Sequence, residues 1–223
     1  MSTLDITHDV VRRGSRAVLQ PGRISVVGPA AIAVVGVNGS GKSSLFMHLS
    51  DMLRSGRRAS ILVGGRPASL ALVPQLPAMP GWLRVTAMTA AFGIGYDELS
   101  DSMPGLLLHE FARAYVHQLS IGQRQALAVA LALGRRAHVT LLDEPFSALD
   151  FRRRLGALQL LRDHVARGGS VVLSSQSAAD LAGVCSHFVV IRDGRYVFNG
   201  PAATLSTAGT LEQLEQRLLR LLS

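Results

Sequence analysis

The segment GVNGSGKSS, residues 36–44, contains the only lysine of a 223-residue chain whose other twenty-two basic side chains are arginine. Its spacing, Gly36 followed four residues later by Gly41-Lys42-Ser43, is that of a phosphate-binding loop. Gly36, Gly39 and Gly41 let the backbone curl with no Cβ in the way. Successive amides, those of Val37, Asn38, Ser40 and Ser44 among them, can then face one anion. A helix starting at Lys42 brings the positive end of its dipole to the same place. Lys42 would reach the β- and γ-phosphates as a slim point charge, where arginine's planar fork is too wide for a tightly curled loop. The Ser43 hydroxyl would serve Mg²⁺.

A second apolar run, VTLLDE, ends in Asp143 and Glu144. With a phosphate loop upstream, this pair supplies the other half of a phosphoryl-transfer site. Asp143 would hold the metal, directly or through water, and Glu144 would orient or deprotonate the attacking water. An acidic pair after a strand says little alone; the loop gives it meaning.

The elements that must hold these residues alternate between short apolar runs and longer helical patterns, the mark of α/β construction on a mainly parallel sheet. The sequence predicts strands over 23–28 and 31–36, the second feeding the glycine-rich turn, and a helix over 42–53. Strands follow over 58–65 and 69–75. From Pro77 to about Gln118 the character changes. A proline-bracketed loop, PAMPGWLRV, precedes a helix over 109–119, so the stretch reads as a small, mostly helical insertion. A strong helix over 121–134 has Gly134 as its stop. Next come a buried strand over 138–144, a glycine-terminated helix within 151–169 and a strand over 170–176. A hairpin over 187–200 turns at Asp193-Gly194, and a helix over 210–222 closes the pattern. The reading is one domain.

Composition narrows the function classes. The chain is 48% hydrophobic and 17% charged, which fits an ordered globular protein. A formal charge of +8 invites a nucleic-acid or membrane-surface reading. The arginines come in small clusters (Arg12, Arg13 and Arg16; Arg57 and Arg58; Arg135 and Arg136; Arg152 to Arg154) with no interleaved aromatics, so a solvated basic surface is the preferred account. Cys185, the one cysteine, lies among apolar residues and reads as a buried thiol. No run approaches the roughly 18–20 apolar residues of a membrane span, and the N-terminus lacks signal-peptide order. The expected location is cytoplasmic. The seven histidines are scattered and imply no metal site.

Taken in order, the motifs resemble those of the ATP-binding subunit of an ABC transporter, over essentially the whole chain. GVNGSGKSS is similar to the family's Walker A segment and VTLLDEP to its Walker B segment. LSIGQRQ (119–125) is similar to the LSGGQ signature, VPQ ending at Gln75 to the Q-loop, and SALD (147–150) to the D-loop. The resemblance implies a P-loop NTPase fold of the ABC ATPase type. That is a mainly parallel core (1–76 and 120–223), N-terminal antiparallel strands and a compact helical subdomain at about 77–119. It implies that two such domains, copies of this chain or a paired cassette, pack head to tail over ATP and Mg²⁺. Ser120, Ile121, Gly122 and Gln123 would then contact the ATP held by the partner's loop, and Asp150 would cross the dimer interface. Gln75 would touch metal and water while its loop meets a transmembrane permease, which places the subunit at the inner face of the membrane.

Three positions depart from that family pattern. Ile121 replaces the first signature glycine. Gln176 stands where a histidine is usual; it donates a hydrogen bond but has no titrating ring, so slower hydrolysis is expected. Arg13 occupies the position where an aromatic often stacks on adenine, and arginine can stack on a base. Trp82, Phe92, Phe111 and Tyr115 are candidates for the groove that receives the permease, with core packing as the competing role for most of them. The C-terminal helix resembles exporter-type endings and tilts the expected direction towards export. The alternatives are a non-transport ABC ATPase acting on nucleic acid or ribosomes, for which only the charge argues, and a weakly hydrolysing cassette, for which only Gln176 argues.

Overall fold

The computed structural model describes residues 2–55, 59–176, 181, 183–205 and 211–222, with side chains 51–55 and 211 left aside. The order is β1 (Thr3–His8), β2 (Val11–Arg13), β3 (Arg16–Leu19), β4 (Gly22–Val27), β5 (Ala31–Gly36), α1 (Lys42–Ser55), β6 (Ala59–Val63), β7 (Arg66–Pro67) and β8 (Leu70–Val73). Then come α2 (Val85–Ala91), α3 (Tyr96–Ser102), 3-10 turns at Pro104–Leu106, Leu108–Phe111 and Val116–Gln118, and α4 (Ile121–Gly134). The remainder is β9 (Val139–Leu142), α5 (Phe151–Ala166), β10 (Ser170–Ser175), β11 (His187–Arg192), β12 (Arg195–Pro201), a 3-10 turn at Ala202–Thr204 and α6 (Leu211–Leu222).

A six-stranded sheet in the order β12-β11-β5-β10-β9-β8 carries the site. Its strands run parallel except β12, which returns antiparallel beside β11. All six residues of β5 are buried, as expected for a central parallel strand covered on both faces. Alternation along β5 divides the core. Ala31, Ala33 and Val35 join the cluster that includes α4, α5 and α6, while Ile32 and Val34 face α1 and the antiparallel sheet. That second sheet has the order β4-β1-β6-β7, and β2 with β3 forms a separate hairpin. The expected α/β class and N-terminal antiparallel strands are both present.

Two local expectations give way to tertiary contacts. The helix expected over 109–119 is instead two 3-10 turns with 112–115 between them. The amides of Val116 and His117 bond to the carbonyls of Leu83 and Gly81 at 2.9 and 3.1 Å, so they are not available to continue a helix. Gly134 is not a left-handed stop: it is the last helical residue, and Arg136 takes the left-handed conformation at φ 50°. A Cβ at position 134 would press on the ends of the Leu99 and Ile94 side chains, with Leu99 Cδ1 at 2.8 Å. The Asp193-Gly194 turn is as expected, with φ of 50° and 69° at its two residues.

A buried polar contact ties the antiparallel sheet to β12. His8 Nδ1 lies 2.8 Å from the Asp9 carbonyl, which can only accept, so that nitrogen carries the proton. In the neutral ring Nε2 then accepts from the Tyr196 hydroxyl at 2.7 Å. His48 of α1 meets the His8 ring edge-on. Burial holds the pKa of His8 below the usual histidine value, and that of His164 likewise. As pH falls below about 6.5, the unfolded chain takes up protons that the folded chain refuses, so stability is lost on acidification. Denaturant midpoints should therefore fall between about pH 8 and pH 5, and His8→Gln should flatten that slope. An equally steep slope in the variant would count against the neutral lock.

Candidate nucleotide site

β5 ends at Gly36 on the C-terminal edge of the sheet, and the next residues curl over that edge. Gly39 and Gly41 adopt φ of 81° and 110°, which a residue with a Cβ enters only under strain. Gly36 is closed in differently: a Cβ there would lie 2.7 Å from the Ile191 carbonyl oxygen and against the Ser40 hydroxyl. Val37, Asn38, Gly39 and Ser43 are exposed, Ser44 is half-buried, and Ser40 is buried with its hydroxyl unpartnered. The Leu45 amide bonds to the Gly41 carbonyl at 2.9 Å, opening α1 directly beyond the loop.

Lys42 is 5% exposed, and its Nζ donates to the carbonyls of Gly36 and Val37 at 2.7 and 3.2 Å. Glu144 Oε1 lies 3.7 Å from the same nitrogen. Burial holds the Lys42 pKa below the ordinary lysine value, opposed by the charges of Glu144 and Asp143. An ammonium kept this dry gains most from an arriving polyanion, because little water screens the pair.

Glu144 is where the other strands converge. Gln176, just beyond β10, donates to both carboxylate oxygens at 3.0 and 3.1 Å. Gln75, just beyond β8, reaches Oε2 at 3.4 Å. All four residues expected to be catalytic (Lys42, Gln75, Glu144 and Gln176) thus meet at one carboxylate. Glu144 also holds φ at 47°, a left-handed conformation that costs a side-chain-bearing residue about 1–2 kcal/mol. Asp143 beside it is buried. With the Ser43 hydroxyl it offers hard oxygen donors of the kind Mg²⁺ takes together with substrate phosphates.

Sequence reasoning missed Ser174. Wholly buried on β10, it donates to Asp143 Oδ1 at 2.5 Å and accepts the Glu144 amide at 2.8 Å. Its only trace in the sequence is its place two residues before Gln176, on the same face of the strand.

The other candidates lie apart from this cluster. Ser120 caps α4, accepting the Gln123 amide at 3.1 Å while its own amide bonds to Gln123 Oε1 at 2.9 Å. That capping box leaves Ile121 61% exposed. Gly122 is required by packing: a Cβ would stand 2.5 Å from the Ala148 carbonyl oxygen. Asp150 caps α5 by accepting the Arg153 amide at 2.9 Å, a bond that, with the Arg153 side chain, lowers its pKa. Arg153 pairs with both Asp150 and Glu110. Arg13 is exposed on the β2–β3 hairpin, whose other strand passes the loop, with the Val18 oxygen 3.1 Å from a Cβ placed on Gly41. Phe92 and Leu76 line a groove of about 550 Å³ that Met79 and Ala128 also border. Trp82 is 74% exposed, whereas Phe111 is buried and belongs to the core.

The family model for ABC transporters matches residues 23–147. An iron(3+)-hydroxamate import ATP-binding protein of Bacillus subtilis is 26% identical over 97% of this chain and 88% of its own length. A phosphonates import ATP-binding protein of Pseudomonas aeruginosa is 30% identical over 90% of this chain and 86% of its own. Among solved structures, an ATP-binding subunit of an ABC transporter superposes with a TM-score of 0.77. It is 21% identical, covering 98% of this chain and 99% of that one.

The Gly122 contact gives a direct test. Gly122→Ala forces the Ala148 carbonyl away and should cost about 1–3 kcal/mol of stability in denaturant titrations. A variant as stable as wild type would mean that the 147–150 loop yields freely.

Proposed function

The chain belongs to the ABC transporter family, and from that premise we propose that it binds and hydrolyses ATP to drive a membrane import system. The observation that carries the catalytic reading is the convergence of Lys42, Gln75 and Gln176 on the Glu144 carboxylate. The loop amides of residues 36–44 receive the phosphates, and Lys42 turns from the Gly36 and Val37 carbonyls towards the β- and γ-oxygens. Ser43, Asp143 and Gln75 would hold Mg²⁺, which when bound would supply positive charge beside those oxygens. Glu144 orients the attacking water and accepts its proton; Gln75 and Gln176 keep the carboxylate in line. Gln176 donates a hydrogen bond but has no ring to take up or pass on a proton, so turnover is slow. Arg13 stacks on the base from the exposed hairpin.

A second ATPase subunit completes the site, this chain again or a paired cassette. Ser120, Ile121, Gly122 and Gln123 present the N-terminus of α4 to the ATP of that subunit, and Asp150 lies on the shared face. A transmembrane permease docks at the groove bordered by Leu76, Met79 and Phe92, beside Gln75. Among the described residues no helix is long and apolar enough to cross a membrane, and the protein associates with the cytoplasmic face through that partner.

Import replaces the export direction suggested by the C-terminal helix. The similar proteins carry import names, and α6 buries Leu214 and Leu218 in the core. Those two leucines therefore serve packing. The expected behaviour is Mg²⁺-dependent ATP hydrolysis that Gln176→His accelerates by up to about a hundredfold, the low end of general acid–base contributions. An unchanged rate in the assembled transporter would refute the role given to Gln176, and no hydrolysis in either protein would refute the ATPase reading.

A further inference from the structure

We propose that Ser174 is a positioning residue of the hydrolytic site, an inference that rests on the ATPase reading above. Its one hydroxyl proton has a forced direction. A carboxylate oxygen accepts only, so Ser174 Oγ donates to Asp143 Oδ1 at 2.5 Å and keeps a lone pair for the Glu144 amide at 2.8 Å. Ser174 is 0% exposed, so water does not compete for either bond.

Each neighbour is thereby fixed from two sides. The Asp143 amide bonds to the Val73 carbonyl of β8 at 2.9 Å, while its carboxylate is turned by Ser174 from β10. That bond uses one of the carboxylate's acceptor positions and leaves others for a cation. Glu144 keeps its left-handed φ of 47° between the Ser174 bond to its amide and the Ser147 hydroxyl on its carbonyl at 3.0 Å. The end of β10 thus grips Glu144 twice, by the backbone through Ser174 and by the carboxylate through Gln176. Without the hydroxyl, a buried carboxylate oxygen and a strained amide lose their partner.

The test uses the full chain, a fluorescent ATP analogue in EDTA, and Mn²⁺ binding to the protein–ATP complex followed by electron paramagnetic resonance. In Ser174→Ala, nucleotide binding in EDTA should stay within about twofold of wild type. Mn²⁺ should bind about 10-fold more weakly, and kcat should fall with little change in KM, on the scale seen when groups supporting metal ligands are removed. Ser174→Thr should restore both. Wild-type Mn²⁺ affinity in a folded Ser174→Ala protein would overturn the proposal. Should that variant not fold, Ser174→Cys carries the test, because a thiol is the weaker donor. Mn²⁺ binding in Ser174→Cys equal to that in Ser174→Thr would overturn it, and weaker binding would uphold it. A wild-type chain that binds no nucleotide would overturn the ATPase reading and this proposal with it.

Discussion

At the edge of the parallel sheet a buried ammonium and a carboxylate stand 3.7 Å apart, and the rest of the site is arranged around that pair. Neither group sits there cheaply. Lys42 loses hydration and leans on two loop carbonyls, and Glu144 accepts a left-handed backbone. What brings them together is strand register. Val35 pairs with Ser175, and Leu142 pairs with both Leu173 and Val73, so four strands end nearly level. The residues just past those ends then point into one crevice, where ligands of open α/β sheets bind. A one-residue slip of β9 would turn Glu144 to the other face.

The same economy of space links the site to the rest of the molecule. α4 and the 147–150 loop touch where only glycine fits, at Gly122. Asp150 caps α5 by accepting the Arg153 amide, and the Arg153 side chain also reaches Glu110 in the segment between β8 and α4. Gly156 packs against the backbone of Gly105 with no room for a side chain. A shift of the 104–111 stretch is therefore felt along α5 and at its cap.

Much of this was legible in the sequence because the constraints were local. Two glycines with positive φ, a lysine and a hydroxyl at fixed spacing specify a phosphate loop without knowledge of the fold. The run AIAVVG gave its strand boundaries for the same reason: six apolar or small residues buried on both faces leave no other reading. Long-range pairing was not legible. Nothing local to residues 109–119 announces that Leu83 and Gly81 will take the amides of Val116 and His117. Ser174 reads as one more small residue in a strand until β9 brings Asp143 and Glu144 alongside it. The ending that contains α6 resembled a functional one, yet Leu214 and Leu218 within it are buried in the core.

The most direct measurement is of Glu144→Gln, which keeps the shape of the hub and removes its charge. After incubation with Mg²⁺ and ATP and passage through a gel-filtration column, the retained nucleotide and the mass of the particle are determined together. If Glu144 is the carboxylate that drives water onto ATP clamped between two subunits, the variant carries intact ATP in a particle of two copies. Retained ADP, or ATP on a particle of one copy, would contradict that account.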